Sequence, residues 1–215
     1  MTSEPGLFET IYSLRAMRRL KTDAVPMKLI DRIIEAGIQA PSGQNSQPWA
    51  FVVVSSPAAK EFFGTRYNFW LRERFKTQLA HLDFSTPAGR TTQAALHLAD
   101  HMHEAPVLVM VCGKRDWPFA VAAEARVGKA PPSYGSVYPC VQNMLLAARA
   151  LGLGASLTTM HQMFEDELHE YFAIPEDYGV VAVIPLGWPD GRFGPVTREP
   201  VASKTHYELW GSGKP

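Results

Sequence analysis

Neither sign of charge predominates in this 215-residue sequence, where 21 Lys and Arg face 21 Asp and Glu. A neutral chain presents no general field for nucleic acid or an anionic membrane surface, so neither partner is expected. Cysteine is scarce: Cys112 and Cys140 are the two present, too few and too far apart for a disulfide framework or a zinc site. Both lie in apolar surroundings and read as buried free thiols. No apolar run approaches the roughly 20 residues that span a bilayer, and "MTSEPGLFET" lacks the basic start and apolar core of a signal peptide. A cytoplasmic protein is the expectation. Repeats, low-complexity tracts and linkers are also missing, so residues 1–215 are read as one domain.

What is present is an ordinary core-forming composition, 46% hydrophobic. Residues 27–39 repeat apolar pairs at Leu29/Ile30 and Ile33/Ile34 and then Ile38, a one-sided helix that Pro41 forbids from continuing. Residues 58–80 read as a charged, aromatic helix with Gly64 as a weak point, and residues 90–104 as another. The runs 50–54, 106–113 and 180–189 are β-branched and apolar, the profile of buried strands. From 114 to 135 the pattern dissolves into a helix-interrupted loop region. In "SVYPCVQNMLLAARALGLG" the apolar residues fall on one helical face, with Ser136 as the expected cap and Gly152 as the left-handed stop. "ASLTTM" reads as extended, residues 165–172 as an acidic helix, and the tail from 190 as irregular. Helices and strands without regular βαβ alternation predict an α+β fold.

Familiar catalytic sets are absent. Gly152 and Gly154 close a helix instead of opening one, so they are not a dinucleotide fingerprint. His97 and His101 have metal-ligand spacing, but no Glu stands beside the first His as a zincin requires. There is no G-x-S-x-G elbow. A chain with binding groups but no evident acid, base or nucleophile fits a protein whose cofactor carries the chemistry. Two stretches supply such groups. "SLRAMRRLK" clusters Arg15, Arg18 and Arg19, which, if helical, would stand about one turn apart. Arginine forks suit phosphate. "APSGQNSQP" packs neutral amides and hydroxyls just before the strand 50–54 and closes on Trp49.

Together these stretches carry a resemblance. "RAMRRLK…VP…LIDRIIEAGIQAPSGQNSQPWAFVVV" resembles the opening of the nitroreductase family of FMN enzymes, R-R-S-x-R-x-F followed by A-P-S-x-x-N-x-Q-P-W. "VQNMLLAARALGLGASLTT" is similar to the family's long interface helix and flavin strand, and "LGWP…REPV" to its closing G-Y-P…R-x-P-L. The match covers roughly residues 8–54 and 137–202 in the family's order. Leu14, Ala16 and Leu20 depart from its Arg, Ser and Phe.

The resemblance implies a central mixed β-sheet flanked by helices in an intertwined homodimer, with FMN at the interface. It implies that Arg15, Ala16, Arg18 and Arg198 hold the phosphate and ribityl chain. Ser42 and Asn45 would contact the flavin's polar edge, and Leu157, Thr158 and Thr159 would run beside its reactive face, with Thr158 or Thr159 tuning N5. The implied activity is ping-pong reduction of nitroaromatics, quinones or similar flat small-molecule acceptors by NADH or NADPH. A deiodinase-like reductive dehalogenase or a flavin-fragmenting enzyme on the same scaffold is the first alternative, although the Glu…Tyr…Lys lid of the deiodinase is not recognisable in "RYNFWLRERFK". A flavin carrier or sensor without turnover is the second. Residues 60–135 align with no family motif, so the acceptor and the choice of NADH or NADPH stay open. There, Tyr67, Phe69 and Trp70 could stack on an acceptor or serve the core or a dimer contact.

Overall fold

The computed structural model describes residues 4–115 and 134–214, so most of the predicted loop region at 114–135 lies outside the described residues. Among the described residues, six α-helices, α1 Leu7–Ser13, α2 Met27–Gly37, α3 Pro57–Leu79, α4 Pro87–Asp100, α5 Val137–Ala150 and α6 Glu165–Phe172, surround four strands. The strands are β1 Trp49–Val54, β2 Val107–Lys114, β3 Gly154–Ala155 and β4 Tyr178–Gly187, in the order β1-β2-β4-β3. The fold is α+β, as the sequence predicts. Every pairing is antiparallel, so among the described residues the expected mixed sheet is an antiparallel one.

Its central strands are apolar except at the Lys114 end of β2, because both faces are covered. Along β2, Val107, Val109 and Val111 point into one core with Ile30 and Ile33 of α2 and Cys140, Val141 and Met144 of α5. Leu108, Met110 and Cys112 point into a second core with Phe63, Tyr67 and Leu71 of α3, Leu98 of α4 and Leu168 of α6. Period-two alternation therefore divides one strand between two hydrophobic layers. Gly37 is where α2 and α5 approach: a Cβ there would stand 2.6 Å from Met144 Cγ. Gly64 does not break α3, which runs unbroken through it. Its missing side chain instead admits His103, whose backbone N would lie 3.1 Å from a Cβ.

One local expectation changes and two open readings are decided. Ser136 takes helical angles and makes no cap with its side chain; its hydroxyl accepts a hydrogen bond from Gly43 N at 3.3 Å. The extended run after Gly152 pairs as a strand only at Gly154–Ala155, followed by a single bridge between Thr158 and Val183. The arginine stretch is not helical, since α1 ends at Ser13. Gly152 does supply the left-handed stop, at φ 78°.

Both thiols are buried, and burial pushes each up to about 11. The native protein should therefore resist a thiol-specific reagent at pH 8 and react with two equivalents once unfolded, as absorbance titration would show. His161 is fully buried, with Nε2 2.7 Å from the Val180 carbonyl oxygen. Burial lowers its pKa below the ordinary 6.5, against the weaker opposing pull of that carbonyl, Glu165 and the Thr158 backbone. Below pH 6.5 the unfolded chain thus binds a proton that the folded chain refuses. Stability is full above that pH and falls as pH drops towards the folded-state value. The urea midpoint should decline between pH 7.5 and 5.5, and His161→Gln should flatten that decline even if it lowers both midpoints.

Candidate functional site

After α1, residues 14–21 run extended along one end of the sheet. Met17 N donates to Ala155 O at 2.9 Å and Lys21 N to Trp188 O at 2.8 Å, while Asp190 N donates to Arg19 O at 3.0 Å. Leu20 and Pro189 form a bridge. The approach is close because the paired residues beneath it are Gly154 and Gly187. A Cβ on Gly154 would stand 2.8 Å from Leu20 Cδ2, and one on Gly187 would stand 3.2 Å from Leu20 Cβ. Met17 is buried against the protein while Arg15 and Arg19 are exposed. Arg149 braces the entry to this segment, donating to Ser13 Oγ at 2.9 Å and lying over the Phe193 ring.

The arginines line a cavity of about 500 Å³ formed by Arg15, Ala16, Met17, Arg18 and Arg19, by Pro87, Arg90, Thr91 and Ala94 of α4, and by Asp190, Gly191 and Arg192. Five guanidinium groups share it with one carboxylate. Arg19 Nη1 lies 3.2 Å from His97 Nδ1, and Arg90 donates to the Ser85 carbonyl. Arg15, Arg18 and Arg192 have no hydrogen bond or ion pair among the described residues. Burial, then Arg19, then His101 lower the His97 pKa. The His97 and His101 rings lie 4.3 Å apart, tilted by 37°, beside that guanidinium, and among the described residues no three His, Cys, Asp or Glu gather as metal ligands.

The amide-rich loop lies at the other end of the sheet. Ser42 Oγ accepts from Gln47 N at 3.1 Å, closing a 3-10 turn, and Gln44, Asn45 and Gln47 hold φ values of 55°, 54° and 48°. Three non-glycine residues in the left-handed region within four positions mark a conformation imposed by its surroundings. Gln44, Ser46, Gln47 and Pro48 line a second cavity of about 340 Å³ with Lys114 and Tyr178. Tyr178 begins β4 and Gly187 ends it beside the arginine segment. At roughly 3.3 Å per residue, that strand separates the two groups of predicted contacts by about 30 Å within one chain.

Leu157, Thr158 and Thr159 lie between. Thr158 exchanges both backbone hydrogen bonds with Val183 at 3.0 Å, and its hydroxyl turns inward to the Tyr67 hydroxyl, 3.1 Å away. Of the three, Leu157 is exposed and Thr159 half-buried. Burial raises the Tyr67 pKa, opposed by the Thr158 hydrogen bond and the charge of Arg18. Tyr67 is thus a core residue that links Thr158 to the arginine segment. Phe69 is exposed, with its ring edge-on to Trp70 at 5.3 Å. Arg198 is exposed on the tail, donates to the Thr197 carbonyl at 2.9 Å, and does not line the arginine cavity. Arg90 and Arg192, which do, have no motif in the sequence to announce them.

The family description "Nitroreductase family" matches residues 11–188, from α1 through the last strand to the segment that the arginines pair with. The chain belongs to the nitroreductase family. An NADH dehydrogenase of Thermus thermophilus is 29% identical over 87% of this chain and 88% of its own length. Iodotyrosine deiodinase 1 of Rattus norvegicus is 26% identical over 85% of this chain and 61% of its own length. A crystal structure of oxidized iodotyrosine deiodinase bound to FMN and 3-iodo-L-tyrosine shares the fold, with TM-score 0.74, 21% identity and coverage of 95% of this chain and 100% of that one.

In this nitroreductase-family chain, Gly154→Val should drive a branched side chain into Leu20 and lift residues 17–21 from the sheet. Trypsin should then cleave the native protein after Arg18 or Arg19 at least several-fold faster than the wild type, read by intact-mass time course. Equal rates would show that the glycine does not seat the segment.

Proposed function

We propose that this protein is an FMN-dependent oxidoreductase in which NADH or NADPH reduces flat electrophilic acceptors such as nitroaromatics and quinones. The observation that carries the reading is the cavity in which Arg15 and Arg18 stand without an ion pair. Two permanently charged forks suit a phosphate of about two negative charges. Among the described residues, Asp190 is the one carboxylate lining that cavity. Bound FMN would relay two electrons from the nicotinamide to the acceptor, with one open face used by each in turn. The chain's part is to grip and orient. Arg15 and Arg18 hold the phosphate, Leu157 supplies an exposed apolar surface, and Thr159 is the outward hydroxyl, because that of Thr158 is engaged by Tyr67.

The separation of the arginines from Ser42 and Asn45 along β4 supports a site completed by a second copy, with each chain contributing one set. Exposed apolar residues at both ends of the chain give such a dimer a surface: Leu7, Phe8 and Tyr12 on α1, and Val201, Leu209 and Trp210 in the tail. Arg198, remote from its own chain's cavity, would join the grip only across that interface. A soluble, cytoplasmic, single-domain enzyme completes the reading.

Likeness to iodotyrosine deiodinase 1 favours reductive dehalogenation as the second reading.

Purified protein supplied with FMN should turn yellow and oxidise NADH or NADPH with a quinone or nitroaromatic acceptor. Arg18→Ala should weaken FMN retention roughly ten- to a hundred-fold, the worth of a charge-assisted hydrogen bond, as measured by flavin fluorescence on dilution. A protein that stays colourless overturns the reading. A yellow protein that turns over no acceptor is a carrier, and one that acts only on halotyrosines is a dehalogenase.

A further inference from the structure

We infer that the arginine cavity takes two anionic groups at once: the cofactor phosphate on Arg15 and Arg18, and a phosphate or carboxylate of the co-substrate on Arg90 and Arg192. The inference rests on the proposed FMN reading for the identity of the first anion. The second follows from charge. Five guanidiniums against Asp190 leave an excess of four positive charges in about 500 Å³, and one phosphate neutralises about two of them. Arg19 leans on the His97 imidazole, but Arg90 and Arg192 have no anionic partner among the described residues.

The position of Arg90 sharpens the argument. It lies in the opening turns of α4, whose first turn carries no acidic residue. A cation near the positive end of a helix dipole works against helix stability, so helix stability does not account for it. The same helix end favours an incoming anion. Arg90 donates to the Ser85 carbonyl, a contact that anchors the guanidinium beside that helix end without neutralising it. Arg192 lines the same cavity from outside α4, two residues beyond Asp190. The anion these two would hold is carried by a small molecule that arrives and leaves: either the pyridine dinucleotide, through its phosphates, or an acidic acceptor.

The test titrates FMN-loaded protein with inorganic pyrophosphate at low ionic strength by calorimetry. Support is one pyrophosphate bound per retained FMN, weakened roughly ten-fold or more by Arg90→Ala and by Arg192→Ala while both variants stay yellow. Arg192, in an irregular segment, guards against a fault confined to α4. Pyrophosphate that binds only the FMN-free protein and is displaced by FMN overturns the inference, as does loss of FMN from Arg90→Ala. In steady-state assays the carrier is identified by whichever KM rises most in Arg90→Ala: that for NADH or NADPH, or that for a carboxylated quinone relative to a neutral one. Equal changes for all overturn it. Should the protein take no FMN, the functional reading fails on its own. Two pyrophosphates per chain would then still support a two-anion cavity, and one or none would overturn it.

Discussion

Three main-chain hydrogen bonds, from Met17, Lys21 and Asp190, hold residues 17–21 against the end of the sheet, and the candidate site depends on them. Arginine side chains are long and lose much rotamer freedom when ordered. Fixing their Cα positions on a strand end removes part of that disorder before any ligand arrives. The contact requires two positions without side chains, Gly154 and Gly187, paired with each other beneath Leu20. Sheet, seat and cation cluster are therefore parts of one arrangement.

The two cores give that seat its rigidity. β2 and β4, buried on both faces, are tied to α2 and α5 on one side and to α3, α4 and α6 on the other. The cavity's walls come from elements anchored in these layers: the arginine segment through β3 and β4, and Arg90 through α4. Tyr67 crosses between the systems, a buried residue of α3 whose hydroxyl meets Thr158 and whose charge equilibrium responds to Arg18.

Much of the architecture was legible. The strands at Trp49–Val54, Val107–Lys114 and Tyr178–Gly187 are legible as apolar runs, α2 and α5 by one-sided apolar spacing, and α3 and α6 by composition. The conformation of the arginine stretch stayed open because Leu, Arg, Met and Lys all favour helix. Its N–H and C=O groups are claimed by residues 155, 188 and 190, a competition that no local window contains. Thr158 was legible as a position but not as a direction, since the hydroxyl that turns it inward belongs to Tyr67, 91 residues away. Arg15, Ala16 and Arg18 could be read from their motif and do line the cavity; Arg90 and Arg192 reach it by folding alone.

The seat also sets an order of assembly. Residues 17–21 leave the ribosome well before their partners at 155 and 188–190. At the usual pace of synthesis, about 5–20 residues per second, the cationic segment waits roughly ten to thirty seconds with its backbone unmatched. It closes onto the sheet only when β4 has found its place beside β2. The arginine cavity is thus absent from any nascent chain stalled before β4.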